Sequence, residues 1–534
     1  MAVDPVDVLI VGSGASGAAI AWSLAETRMN ILCLDQGGWV NPSEYPTTTV
    51  DWESRVISDF SSNPNTRQRP EDYPVNDLGS PISPLMFNGV GGSTILWGAH
   101  FPRFHPSDFS VRTLDGVADD WPLDYATLEP YYDLNDRMMG VSGLSGNPAY
   151  PPKSVQTPPV SLGRLGVTIA EGFNRLGWHW WPADSAIVSQ SYEGREGCVN
   201  AGVCMFGCAQ GAKASTDITY WPSAVRRGVR LETRCRVREI TLGSNGLADG
   251  VVYVDADGVT HRQKAELVIL ACNGIGTARL LLLSRSGRFP DGLVNRSGLV
   301  GRNLMFHPWG FVTGFFDERM DGFKGPIACC IASQEFYETD RSRGFVRGYT
   351  LQTVRSVAPT LTAMGAMTGG PLPWGGDHRR EFERIFGRTI SMNAICEDLP
   401  EIENRVELDP ELVDGDGIPA PRVIYRLGEN SSKMIEHGVA RAREVMEAAG
   451  ATETIADYPA RNTGWHLMGT ARMGRDPETS VVNSWGRCHD VPNLFIVDGS
   501  VFVTSGGVNP CSTIQALALY IGDQIKKNLG NLFD

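Results

Sequence analysis

The sequence predicts an α/β fold: a parallel sheet flanked by helices and assembled from separated pieces of chain, beside a second, antiparallel α+β domain. Three observations carry this. The apolar run Asp7-Val8-Leu9-Ile10-Val11 leads directly into Gly12-Ser13-Gly14-Ala15-Ser16-Gly17. A second run, Ala265-Glu266-Leu267-Val268-Ile269-Leu270, leads into another glycine turn, Ala271-Cys272-Asn273-Gly274-Ile275-Gly276-Thr277, and an Arg/Leu-rich helix. Residues 311–400 alternate short β-rich pieces with loops, the pattern of antiparallel strands.

Residues 7–11 have the length and β-branched character of a buried parallel strand. In the G-x-G-x-x-G that follows, Gly12 allows a tight turn, Gly14 lets backbone approach a pyrophosphate, and Gly17 lets a helix pack close to the strand. Ala15 to Ala25 is helix-forming, and its positive end would face phosphates. Asn30-Ile31-Leu32-Cys33-Leu34 is a second strand ending at Asp35, a carboxylate placed for a ribose diol and against a 2′-phosphate. These residues point to a bound dinucleotide without separating NAD from FAD.

Residues 40–85 are rich in Pro, Ser, Asn and Asp and read as an irregular excursion, and residues 140–165 as a long connection. Regular α/β pattern returns near residue 215. Ser432 to Ala449 is an amphipathic helix stopped near Gly450. The last helix, Ser512 to Leu529, follows a Gly-Gly-Val-Asn-Pro turn. One domain is expected from residues 1–40, 215–310 and 460–534. A second is expected from 41–214 and 311–459, with residues 89–98 reaching back to the first. A site between them could exclude water.

The chain has 534 residues, 42% hydrophobic and 20% charged, enough for two or three domains with large cores. Its net charge of −14 argues against nucleic acid or an anionic membrane as partner. No basic n-region or apolar h-region opens the chain, and no apolar run reaches spanning length. Most of the 11 cysteines lie in apolar stretches such as Leu32-Cys33-Leu34, as reduced core thiols of a cytoplasmic protein do. Export with a partner carrying its own signal stays open.

Motifs along nearly the whole chain resemble the glucose–methanol–choline (GMC) oxidoreductase family. They are the N-terminal glycine turn with Asp35, Gly89-Val90-Gly91-Gly92-Ser93-Thr94-Ile95-Leu96-Trp97-Gly98, and Asp120-Trp121-Pro122. Leu128-Glu129-Pro130-Tyr131-Tyr132, Cys198 to Lys213, Ala271-Cys272-Asn273-Gly274 and Val300-Gly301-Arg302-Asn303-Leu304 follow. Trp465-His466-Leu467-Met468-Gly469-Thr470 and Asp498-Gly499-Ser500 through Asn509-Pro510 complete the set. The branch resembled most holds bacterial FAD-dependent sugar dehydrogenases, pyranose oxidases and glycoside 3-oxidases.

The resemblance implies a Rossmann-like FAD-binding domain and an antiparallel substrate-binding domain. Gly12, Gly14, Ser16 and Gly17 would hold the pyrophosphate, Asp35 the ribose, and Val237 the adenine through its backbone. Gly91, Gly92, Ser93, Thr94 and Trp97 would run along the isoalloxazine, with Ala271, Asp498, Gly499, Asn509 and Pro510 closing the site. Some relatives carry a covalent flavin on a histidine in the glycine loop. Thr94 and Ile95 stand there in this chain, so dissociable FAD is expected, although His100 lies just downstream.

His466 is the expected base, since imidazole titrates near neutral pH, and Asn509 would orient the same hydroxyl. His307, in Met305-Phe306-His307-Pro308, is a weaker candidate for the same role, with a structural role favoured. The expected reaction oxidises a secondary hydroxyl of a sugar or glycoside, with hydride passing to flavin N5 and the proton to His466. Trp97, Trp178, Trp180 and Trp181 are compatible with sugar stacking. The electron acceptor would be oxygen, a quinone or a cytochrome subunit. An aromatic or sterol alcohol, a non-catalytic flavoprotein and an NAD-dependent dehydrogenase are the alternatives.

Cys198, Cys204 and Cys208 precede Gly211-Ala212-Lys213. Three thiolates this close could ligate an iron–sulfur cluster, here a [3Fe-4S] centre. Similar spacing occurs in multi-subunit sugar dehydrogenases with a haem partner. Some relatives have an additional cysteine where this loop has Val199 and Ala201. A packed loop, a disulfide and zinc are the other readings.

Overall fold

A computed structural model describes residues 4–50, 52–202, 204–326, 330–355, 357–366, 368 and 370–532. Val6–Val11 (β1) carries apolar side chains on both faces: Leu9 and Val11 enter one core cluster, Val8 and Ile10 the other. That double burial is why the run is continuous rather than alternating. Ala15–Leu24 (α1) follows, and Ile31–Asp35 (β2) lies parallel to β1 with Ile31 opposite Val8. Arg230–Thr233 (β3) extends the sheet beyond β2. Arg236–Leu242 (β4), Ala248–Val254 (β5) and Thr260–Leu270 (β6) form an antiparallel meander. The second half of β6 then runs parallel to β1, with Leu267 opposite Val8, and leads to Asn273–Leu283 (α2).

The second sheet is built from Trp309–Phe315 (β7), Ile331–Ser333 (β8), Tyr349–Val354 (β9) and Thr389–Cys396 (β10). Helix Glu429–Ala448 (α3) and strand Glu453–Asp457 (β11) follow. The strand order is β11-β7-β10-β9-β8, ending on the two-residue strand Trp181–Pro182, and every pairing is antiparallel. Alternation in β10 sorts its side chains. Ile390, Met392 and Ala394 pack with Met434, Ile435, Val439 and Val445 of α3. Ser391 and Asn393 are left for the opposite face, which looks into a cavity.

The chain then returns to the first sheet. Leu494–Ile496 (β12) runs parallel to β6, with Leu494 opposite Val268. Cys511–Lys527 (α4) packs beside α1 so closely that a Cβ on Gly522 would stand 2.7 Å from Ser23 Oγ. Residues 40–85, expected to be irregular, carry short helices such as Trp52–Val56 and the strand Asn76–Gly79. That strand finds its partner at Arg422, far along the chain.

Candidate active site

A cavity of about 990 Å³ runs from the N-terminal glycine turn to His466 and Asn509. Gly12, Gly14, Ser16, Asp35, Gly92, Ser93, Thr94, Trp97, Val237, Ala271, Asp498, Gly499, Asn509 and Pro510 all line it. Gly17 and Gly91 stand behind that lining. At Gly17 a Cβ would sit 1.9 Å from Gly12 O, so α1 starts against the strand it follows.

The dinucleotide end is built by β1, α1 and β2. The N-terminus of α1 has neither a side-chain cap nor an acidic residue in its first turn. Its amides therefore remain available to an anion in the cavity. Asp35 Oδ2 accepts from Ser13 N (2.8 Å) and Ser13 Oγ (2.6 Å), and Oδ1 accepts from Gly37 N (2.8 Å). These bonds fix the carboxylate at the end of β2. Asp498 is held in the same way by Thr277 Oγ1 (2.6 Å) and by Ser500 N (2.9 Å), and its pKa is raised by burial. An uncapped helix end, a fixed acid and a long continuous cavity fit an FAD molecule.

The loop at 89–98 lies over this turn. At Gly92 φ is +53° and a Cβ would stand 2.8 Å from Gly14 Cα, which lets the two glycine segments touch. Lys213 Nζ, buried, donates to Ile95 O (2.7 Å) and Trp97 O (3.3 Å). Burial pushes this ammonium down to about 8. Trp97 Nε1 donates to Ala214 O (2.9 Å), and Thr94 Oγ1 accepts from Thr216 N (3.0 Å).

At the far end Asn509 Nδ2 lies 3.4 Å from His466 Nε2. Asn509 Oδ1 accepts from Gln352 Nε2 (2.6 Å) on β9. His466 Nδ1 is 2.7 Å from His307 Nδ1, and His307 Nε2 is 2.6 Å from Gly506 O. Burial pushes His466 well below the usual imidazole range, helped by His307 and His100 beside it. Burial also takes His307 down to about 4 and His100 to about 3. All three rings are therefore neutral at pH 7. His307, the weaker candidate, touches the expected base directly. No local sequence signal announces this contact, since 159 residues separate the two rings.

The opposite wall is the second sheet. Trp309, Phe311, Ser391, Asn393, Val354 and Ile455 line it, and the Trp309 ring lies 5.9 Å from that of His466. Trp465 also lines the cavity, whereas Trp178, Trp180 and Trp181 do not. Trp178 packs on Phe336, and Trp180 and Trp181 donate to Asn174 and Leu144 O.

Among the described residues no group of three His, Cys, Asp or Glu side chains is placed to hold an ion. Cys204 is packed into the hydrophobic core with Cys198 against the same cluster, and Cys208 is half-buried. Among the described residues no disulfide joins these cysteines. Among the described residues no helix is long and apolar enough to cross a membrane.

The sequence matches the GMC oxidoreductase family over residues 86–309 and 400–518, and an NAD(P)-binding Rossmann-like domain over residues 10–69. It is 42% identical to 2-methyl-1,2-propanediol dehydrogenase from Mycolicibacterium austroafricanum, over 99% of this chain and 97% of that protein. It is 30% identical to the fructose dehydrogenase large subunit of Gluconobacter japonicus, over 98% of each. Paromamine 6′-oxidase from Streptomyces fradiae is also 30% identical, over 96% of this chain and 90% of its own. The crystal structure of pyridoxine 4-oxidase from Mesorbium loti superposes with a TM-score of 0.68 at 16% identity, covering 98% of this chain and 99% of that one.

Proposed function

The chain belongs to the GMC oxidoreductase family, and from that premise we propose that it oxidises a CH–OH group of a small, neutral polyhydroxy compound with FAD as cofactor. The observation that carries this is the convergence of His466 and Asn509 at 3.4 Å on the cavity that begins at the Gly12–Gly17 turn. FAD supplies the acceptor for the carbinol hydride.

His466 Nε2 takes the hydroxyl proton, and a neutral imidazole is competent to do so at pH 7. Asn509, steadied by Gln352, holds the hydroxyl oxygen and so directs the carbinol hydrogen. Trp309, Phe311 and Trp465 exclude water from the reacting atoms. Gly12, Gly14, Ser16 and Asp35 would hold the dinucleotide, and the segment from Gly91 to Trp97 would border its reactive ring. That segment contains no histidine or cysteine, which favours FAD bound without a covalent link.

A sugar or glycoside hydroxyl is one such substrate. The apolar wall of Phe311, Val354 and Ile455 favours a short branched diol, the kind of compound for which the relative at 42% identity is named. Purified protein, mixed anaerobically with 1,2-diols, sugars, glycosides and aromatic alcohols, should lose its visible flavin absorbance with a diol or sugar. Bleaching by none of them would overturn the enzymatic reading. Acid precipitation should release the yellow colour into the supernatant. Peroxide formed under air would assign oxygen as acceptor; its absence would leave a quinone or cytochrome.

A further inference from the structure

We infer that His307 is a positioning residue that locks the ring of His466 in one tautomer, with Nδ1 protonated and Nε2 bare toward Asn509 and the substrate. The inference rests on the proposed role of His466 as base. It follows from counting protons outward from a single backbone carbonyl.

Gly506 O has no proton to give, so His307 Nε2, 2.6 Å away, is the donor. A neutral imidazole carries one N–H. His307 Nδ1 is therefore a lone pair, and His466 Nδ1, 2.7 Å from it, must donate. His466 is itself neutral, so its Nε2 carries no proton. Asn509 Nδ2 then donates to it, and Asn509 Oδ1 is free to accept from Gln352 Nε2, as its 2.6 Å contact requires. Each bond in the chain agrees with the next, and reversing one reverses all.

The carbonyl that starts the count is itself fixed. On one side Ser505 Oγ accepts from Asp398 N (2.8 Å) and donates to Asp398 O (3.0 Å). On the other, Gly507 N donates to Tyr337 Oη (3.0 Å) and Gly507 O accepts from Thr350 Oγ1 (2.7 Å). When His466 takes the substrate proton, its Nδ1–H still points at a lone pair, and that bond strengthens as the ring becomes charged. His307 and His100 are the titratable side chains that face His466. His466 Nδ1 meets His307 and Nε2 meets Asn509, so it is the His307 contact that sets the tautomer.

Two variants of the flavin-loaded enzyme test this, His307→Leu and His307→Asn. Leucine removes the acceptor, whereas asparagine can place Oδ1 where Nδ1 stood. His307→Leu should keep its flavin and lower kcat about 10²-fold with KM nearly unchanged, and His307→Asn should recover most of that loss. The acid limb of kcat/KM should move to lower pH in His307→Leu, because the imidazolium has lost an acceptor. Wild-type kcat in His307→Leu, or no recovery in His307→Asn, would overturn the inference. Should His307→Leu fail to fold, ¹⁵N NMR of the wild-type enzyme decides: a protonated His466 Nε2, its signal identified by loss in His466→Gln, would overturn it. That spectrum reads the tautomer even if no alcohol bleaches the flavin, so failure of the enzymatic reading and failure of this inference are separate results.

Discussion

At the scale of single residues, the site depends on imidazoles that burial keeps uncharged. His466→Ala should lower turnover by about 10²–10⁴-fold while flavin content stays that of the parent, because the alanine removes the proton acceptor and touches nothing at the glycine turn. Stopped-flow flavin reduction, with absorbance spectra for cofactor content, checks both halves. The pH dependence has a definite sign. A histidine whose pKa is depressed stays competent as a base above that pKa and is lost as pH falls through it. The kcat/KM of the free enzyme should therefore be level through neutrality, with its acid limb below the usual histidine value of 6.5. A limb centred near 7 would show that the ring is more hydrated than its packing implies.

At the scale of elements, the glycine loop is held by one buried ammonium. Lys213 Nζ collects the carbonyls of Ile95 and Trp97, which end the short turn Gly92–Thr94 over the dinucleotide site. Lys213→Met keeps the volume and leaves those carbonyls unpaired, a loss of about 1–3 kcal/mol. FAD should then dissociate measurably faster on dilution, read as recovery of free-flavin fluorescence, while secondary structure by circular dichroism is retained. The strand β1, the helix α1 and the strand β2 were legible in the sequence because their signals are local: an apolar run, three glycines and an acid within thirty residues. Asp35 ends β2 and the glycines turn the chain from β1 into α1. The contact of His307 with His466 was not legible, since 159 residues separate them and only the register of β7 and the loop at 506 join them. Gln352 beside Asn509 has the same origin.

At the scale of the whole molecule, a buried ionic knot ties the segment from Asp108 to Asp115 to the second sheet. Arg347 meets Asp108 (2.5 Å), Asp115 (3.2 Å) and Glu397 (3.0 Å), all of them buried. One positive charge cannot neutralise three carboxylates in a dry interior, so one keeps its proton. Burial raises Glu397 from 4.5 to about 8 and Asp108 from 3.8 to about 6, so Glu397 is the last of the raised pair to ionise. In the unfolded chain it would already be ionised above 4.5. Between these limits the folded state binds more protons at Glu397, and this carboxyl's contribution to stability falls as pH rises. Glu397→Gln removes the proton uptake, so its melting temperature should decline less between pH 6 and 8 than that of the parent. Parallel curves from differential scanning calorimetry would refute this. Asp398, raised to about 7 by its own burial, adds a decline of the same sign in both proteins.

The placement of β12 has a consequence for biosynthesis. The parallel sheet that begins with Val6 acquires its last strand from Leu494–Ile496, and Asn509 and α4 come later still. While the protein is being made, the earlier strands emerge from the ribosome with one flank of β6 unclaimed, and that exposed edge must wait for hundreds of further residues to be translated. Flavin capture is expected only after Asn509 has emerged, and a nascent chain stalled before residue 494 should require chaperone protection to stay soluble.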